Sequence, residues 1–380
     1  MQIAPGVRPR AGTTRGANLM SPEQTKLARR RLTLGIFNVG FWVTASICAL
    51  ALIRSGHRSV EGTGPFVIIA AVFWIQAVFD ALGGGLLVPG TRPTAWNFLK
   101  GWSRGATVHA LVLGIIGLAA TASLRWTGGF CTGLAASIVV LSLTRGSLHA
   151  AICGGASRPV TLEGRENLAA TRVDDPSFTG GLVGFGSRAG ILVPEVWFQS
   201  LPGPELRVAL ARRRWQKAQG LPFRTLVILL LWNLTGCQVG GLAFELGSLP
   251  TGTALLGQAC WMTLWSFLGL LVLPSLGRAS VFAADRAVAS AGLDPSRWIR
   301  RLPAITGEDG SDRPWAETIF YPIPSAARRI KSLGSPVHGP VLGDLARSQL
   351  YYSLAGLTLL GRAVHCNVGR PALWVFPPSS

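Results

Sequence analysis

The stretch TLVILLLWNLTGCQVGGLAFELGSLPTGTALLGQACWMTLWSFLGLLVL, Thr225–Leu273, decides the fold. Glu245 is its only charged side chain. Two apolar runs, Thr225–Leu246 and Thr253–Leu273, are parted by the turn-forming Gly247–Gly252. A helix needs about 20 apolar residues to cross a hydrocarbon core. The stretch therefore predicts a hairpin of two transmembrane helices. Four runs upstream pass the same test: Leu34–Ile53, Phe66–Val88, Ala106–Leu124 and Phe130–Leu148. Leu350–Leu360 is apolar but too short to span, and reads as a buried or interfacial helix.

Composition agrees with a membrane protein. Of the 380 residues 49% are hydrophobic and only 14% charged, and mean hydropathy is +0.39. Lys+Arg 36 against Asp+Glu 17 gives a net charge of +19. The tail before the first span holds Arg8, Arg10, Arg15, Lys26, Arg29, Arg30 and Arg31, and the loop after the second holds Arg92, Lys100 and Arg104. The segment after the fourth span is also rich in Arg, whereas Arg125–Gly129 has one charge and Gly247–Gly252 none. The positive-inside rule puts both termini and both long polar segments in the cytoplasm. The expected location is the inner membrane of a bacterial-type cell, with the lipid bilayer and other membrane proteins as partners. The basic residues serve orientation, so no nucleic-acid partner is expected. Residues 1–20 read as disordered; at residue 21 a helix begins, with Ser21 as cap and Pro22 in its first turn.

The chain divides into a basic tail (1–33), four transmembrane helices (34–148), a first polar segment (149–223), a hairpin (224–276), a second polar segment (277–340) and a C-terminal helix and tail (341–380). Each polar segment is short for a core of its own, so the two read as one α+β unit split by the hairpin. SFTGGLVGFG and AGILVPEVWF suggest two β segments, and a helix follows from Pro204 to the stop at Gly220 and Pro222. A further helix is expected over Ser280–Ala291 and a short one within Pro324–Leu333. GFGSRA, Gly184–Ala189, matches a dinucleotide fingerprint but runs into the strand-like ILVPEVW, not into a helix, so no nucleotide is expected. The six cysteines, Cys48, Cys131, Cys153, Cys237, Cys260 and Cys366, form no C-x-x-C pair and read as reduced apolar residues.

The helix ELRVALARRRWQKAQG, Glu205–Gly220, carries the functional question. The order of features around it resembles the HtpX-like and CAAX-prenyl-protease-like membrane zinc metallopeptidases, peptidase family M-48. There a helix L-S-x-x-E-L-x-x-V-L-A-H-E-x-x-H is followed by a membrane hairpin and then E-x-x-A-D. Leu201, Glu205, Leu206, Leu210 and Ala211 stand in matching places, as do Ala284, Asp285 and Ala287. Arg329, Ile330 and Leu333 match a later basic helix. The resemblance covers roughly residues 178–333 and implies a polytopic α-helical membrane protein with a metallopeptidase-like domain. It also implies what has been lost. The two zinc histidines fall on Arg212 and Gln216, the general base on Arg213 and the downstream glutamate on Val281. Asp285 is the family residue that remains, completing a vestigial pocket.

Guanidinium offers no lone pair to a metal. An Arg 4 Å from a divalent ion repels it by roughly 8 kcal/mol at an effective dielectric of about 20. No cofactor is therefore expected, and His365 with Cys366 is the one tempting metal pair, read as a packed loop. Successive helix residues point about 100° apart, so Arg212, Arg213 and Arg214 face three directions. They are read as solvated or membrane-facing, with one free to pair with Asp285. Asp80, His109, Asn233 and Glu245 are polar groups in or near the spans, and Asp80 lies beside Gly83-Gly84-Gly85. The leading expectation is a non-catalytic scaffold, subunit or regulator of a membrane assembly. An active zinc metalloendopeptidase with unorthodox ligands is one alternative, and a small transporter or lipid-handling protein working through Asp80 another.

Overall fold

The computed structural model describes residues 21–56, 64–88, 93–155, 157–160, 168–186, 189–308, 317, 321–336 and 338–379. The basic tail 1–20 and His57 lie outside the described residues. Helix α1 (Pro22–Arg54) starts as its sequence demands. Ser21 Oγ accepts from the Gln24 amide at 3.2 Å and Gln24 Oε1 accepts from the Ser21 amide at 2.9 Å, a reciprocal capping box. Helices α2 (Gly64–Asp80), α3 (Ala95–Thr127) and α4 (Cys131–Cys153) follow. After a small sheet come α5 (Trp197–Ser200) and α6 (Gly203–Ala218), then the hairpin of α7 (Leu221–Ala243) and α8 (Thr251–Ser290). Helices α1, α3, α4, α7 and α8, and α2 together with the π-helical turn that continues it to Leu86, are long and apolar enough to cross a membrane, and they overlap the six expected spans.

The sixth span does not end where hydropathy falls. The sequence suggested a stop near Leu273 and a separate helix from Ser280; instead α8 is continuous for 40 residues, with Pro274 inside it. At 1.5 Å per residue it is about 60 Å long, twice the hydrocarbon thickness. Its second half therefore stands clear of the apolar zone and carries Val281 and Asp285 to the sheet.

The sheet has the order β1 (Arg158–Val160), β2 (Leu168–Thr171), β4 (Gly190–Pro194), β3 (Gly181–Val183). Strands β2 and β4 run parallel, and the two outer pairings are antiparallel. Both expected β segments are present as β3 and β4, and Gly184 and Gly186 lie between the two strands. Leu168, Ile191 and Val193 from the sheet, Val208 and Leu210 from α6, and Val288, Trp298 and Leu302 share one apolar cluster. The two polar segments thus close around a common core. Helix α9 (Ser296–Thr306) covers it, and α10 (Ala326–Ser332) packs on α9 and α8.

The C-terminal segment is the largest departure from the sequence reading, which set it apart as a helix and tail. From Leu345 to Ser379 every residue is buried except Leu357, His365, Pro371 and Ala372, which are half-buried. Helix α11 (Leu345–Tyr352) enters between the spans: Gln349 pairs with Asn233 of α7, and Tyr351 Oη donates to the Leu141 carbonyl of α4 at 2.8 Å. The chain turns at Leu357, which has a positive φ of 61°, beside Met262 and Thr263 in the middle of α8. It returns through α12 (Leu360–Ala363) to Ser379 beside α6. Leu350–Leu360 is thus buried, as one of its two expected states, and forms the turn of a re-entrant loop. Irregular backbone at membrane depth is tolerated where protein surrounds it. Two glycines make room: a Cβ on Gly83 would lie 2.5 Å from the Val368 carbonyl oxygen, and Gly84 packs directly on the Gly369 backbone. The glycine run beside Asp80 is a seat for this loop, set in a π-helical turn over Ala81–Leu86.

Candidate functional site

Helix α6 is buried on several sides, at Val208, Ala209 and Leu210, and its polar end lies against α8. There the three arginines separate. Arg212 turns to Asp285, and its Nη1 meets Asp285 Oδ1. Asp285 also accepts two bonds from Arg329 of α10, Nε at 2.8 Å and Nη2 at 2.9 Å. All three side chains are buried, so two guanidinium groups share one carboxylate. Burial, and then the cations Arg329 and Arg213, hold the Arg212 pKa well below its ordinary value. Burial alone lowers that of Arg329 to about 9.

Arg213 faces a different space. It donates to Gln216 Oε1 at 3.2 Å, to Ser379 Oγ at 2.7 Å and to the Thr179 carbonyl at 3.5 Å. Arg213, Gln216 and Val281 line one cavity of about 90 Å³. The expectation that Arg212, Gln216 and Val281 would meet is therefore corrected by one residue: Arg212 is spent on Asp285, and Arg213 takes the place in the cavity wall. Arg212 is the arginine that pairs with Asp285, as expected of one of the three; the solvated reading is overturned for Arg213, which is 7% exposed. Each has a wall of protein to fill: Asp285 and Arg329 on one side, the C-terminal segment on the other.

The far walls of the cavity come from parts of the chain that sequence spacing does not connect. They are Ser142 and Arg145 of α4, Ser280 of α8, and Asp344, Tyr352 and Ser379 of the C-terminal segment. Arg145 had a legible signal, being a charge near the end of an apolar span. Asp344 had none, since its partners are supplied only by the fold. Burial pushes the Asp344 pKa up, against the opposing pull of Arg347, Arg213 and Arg145.

These residues do not fit a zinc ion. Val281 has no donor atom, Arg212 is committed to a carboxylate, and Arg213 brings a positive charge to the cavity. The tempting pair His365 and Cys366 does acquire a third member: ligand atoms of Glu308, His365 and Cys366 lie within 4.8 Å of one another. A cation already stands among them. Arg347 donates to both Glu308 oxygens at 2.6 Å and to Cys366 Sγ at 2.8 Å. Burial would raise the Glu308 pKa, but Arg347 and then His365 hold it down to about 2. Burial pushes the Cys366 thiol up, away from the thiolate that a metal needs.

The chain matches no protein-family model, no curated protein and no solved structure.

The intramembrane polar residues serve packing. Asp80 accepts from Gln76 at 2.9 Å, Trp102 at 2.9 Å, Arg362 at 2.5 Å and the Gly369 amide at 2.9 Å. Two of these donors, Arg362 and the Gly369 amide, belong to the C-terminal segment, which Asp80 thereby anchors. His109 packs edge-on against Trp374. Asn233 and Gln349 exchange hydrogen bonds at 2.8 and 3.0 Å. Glu245 is exposed in a tight turn at the end of α7, with φ 49°.

Proposed function

We propose that this is a multi-pass protein of a bacterial-type inner membrane, with both termini cytoplasmic, whose metallopeptidase-like unit acts by binding and not by zinc catalysis. It serves as a scaffold, subunit or regulator of a membrane assembly. One observation carries this reading. The positions that would hold zinc and the general base fall on Arg212, Gln216, Val281 and Arg213: Arg212 is taken up by Asp285, Val281 offers no donor, and Arg213 brings a cation to the cavity wall. A cation in that wall favours anions over a divalent metal. The orientation rests on the basic tail and on Arg92, Lys100 and Arg104.

The test is elemental analysis of the detergent-purified protein, together with proteolysis of an unfolded substrate with and without a chelator. The expected outcome is zinc well below one equivalent per chain and no chelator-sensitive cleavage. One zinc per chain, with cleavage abolished by the chelator and by Cys366→Ala, would replace this reading with the enzyme one.

A further inference from the structure

We propose that the cavity between α4, α6, α8 and the C-terminal segment binds a phosphoryl group, presented by a phospholipid headgroup or as free phosphate, with Arg213 and Arg145 as its counter-charges. The first argument is charge. Arg145, Arg213 and Arg347 line the cavity, and the one acid in its wall is Asp344. Arg347 is neutralised by Glu308. Among the described residues Arg213 and Arg145 have no carboxylate within 4.0 Å. Arg213 donates only to neutral oxygens, and Arg145 to the Val375 carbonyl at 2.9 Å while lying over the Phe376 ring. Even with Asp344 ionised the pair, a buried Arg213 and a half-buried Arg145, leaves one unbalanced positive charge at the cavity. A guanidinium taken from water without a counter-ion is costly, and an anion in the cavity relieves that cost.

The second argument is shape. The two cations stand on different walls, α4 and α6. The Arg213 fork is already divided between Gln216 and Ser379. A planar carboxylate is best held by one free fork. A tetrahedral phosphoryl group accepts from several directions at once, and Ser142, Tyr352 and Ser348 add hydroxyls to the wall. A volume of about 90 Å³ holds the phosphoryl group and little more, so a lipid would leave its glycerol and chains outside. The third argument is depth. Leu221, Pro222 and Thr225 in the wall are the first turns of α7, and Ser280 and Val281 follow the apolar run of α8. That is the level at which headgroups lie.

The experiment measures melting temperature in a phosphate-free maltoside detergent, with sodium phosphate, sodium chloride at matched ionic strength, and dihexanoyl phosphatidylglycerol. We expect phosphate or the short-chain lipid to raise the melting temperature where chloride does not. A rise with inorganic phosphate identifies a free-phosphate site; a rise with the lipid alone identifies a headgroup site. Arg213→Gln should weaken binding about ten- to a hundredfold. Gln216→Glu guards against misfolding of that variant. It supplies a carboxylate beside Arg213, so it should raise the melting temperature without phosphate and remove the response to it. No response of the wild type to either phosphoryl compound, or an unchanged response in Gln216→Glu, would overturn the proposal. Neither result touches the zinc measurement, so the two readings fail separately.

Discussion

The outer helices and the C-terminal segment invert each other. In α1, α2 and α3 only 17%, 22% and 22% of the most apolar window is buried, and Phe37, Trp74 and Leu118 are 68%, 75% and 73% exposed. The segment Leu345–Ser379 carries Arg347, Arg362 and Arg370 yet is buried almost throughout. Each of those arginines crosses to a different acid: Glu308, Asp80 and Asp175. In lipid the apolar residue is the exposed one, and a charge survives at depth only where protein provides its partner. Hydrophobicity therefore marks the outside of this molecule, and ion pairs mark its inside.

The sharpest way to break this contrast is at Asp80. Asp80→Ala removes four hydrogen bonds and leaves Arg362 buried without a counter-charge. We expect a loss of about 5 kcal/mol, the upper end for one partner of a buried pair. It would be read as a fall in melting temperature in detergent and as new tryptic cleavage after Arg362, a bond followed by Ala363. The double replacement Asp80→Leu with Arg362→Met should recover much of the loss, because the pair costs desolvation that apolar residues avoid. An Asp80→Ala protein as stable and protease-resistant as wild type would show that the loop is not anchored through its charges.

This contrast also explains what could be read in advance. The six spans were legible because hydropathy reports lipid-facing surface, and α6 because Pro204 and Gly220 mark its ends. The capping box at Ser21 was half legible: Ser21 and Pro22 announce it, but the return bond from Gln24 was not anticipated. The unbroken run of α8 was hidden by Pro274, Gly277 and Arg278, which look like a helix end in water but lie inside a packed helix here. The re-entrant loop was hidden by its arginines. Arg362 and Asp80 are 282 positions apart, and no spacing rule joins them. The demand itself was visible, since an acid beside an apolar run needs a partner. Three residues of the candidate pocket, Arg213, Gln216 and Val281, were named from the resemblance, yet Arg145, Asp344 and Arg347 join Arg213 there only through the fold.

Glu308 offers a smaller, pH-dependent test of the same contrast. Its folded pKa is about 2, below the unfolded value of about 4.3. A depressed carboxylate contributes stability that is fully present above the unfolded pKa. That stability is lost as pH falls through the folded one, here between about pH 5 and pH 2. The contribution is about 3 kcal/mol. Asp344, whose pKa is raised, works in the opposite sense, its burial penalty being relieved as it protonates. Melting temperatures of wild type and Glu308→Gln across this range should converge at the acid end. Parallel curves would mean that the Glu308–Arg347 pair does not hold the loop.

The smallest effect belongs to the neutral pair. Asn233 of α7 and Gln349 of α11 exchange two hydrogen bonds, and Asn233 also donates to the Leu229 carbonyl at 2.7 Å. Asn233→Leu leaves the Gln349 amide buried without its partner, and Gln349→Leu does the same to one Asn233 oxygen. The double variant leaves neither group stranded. A double-mutant cycle should therefore give a coupling of about 1 kcal/mol, within the range for polar contacts between membrane helices. A coupling near zero would mean that each amide finds another acceptor once its partner is gone. That outcome requires the re-entrant helix to shift against α7, which a segment clamped by two buried ion pairs and the half-buried Arg370–Asp175 pair should not do.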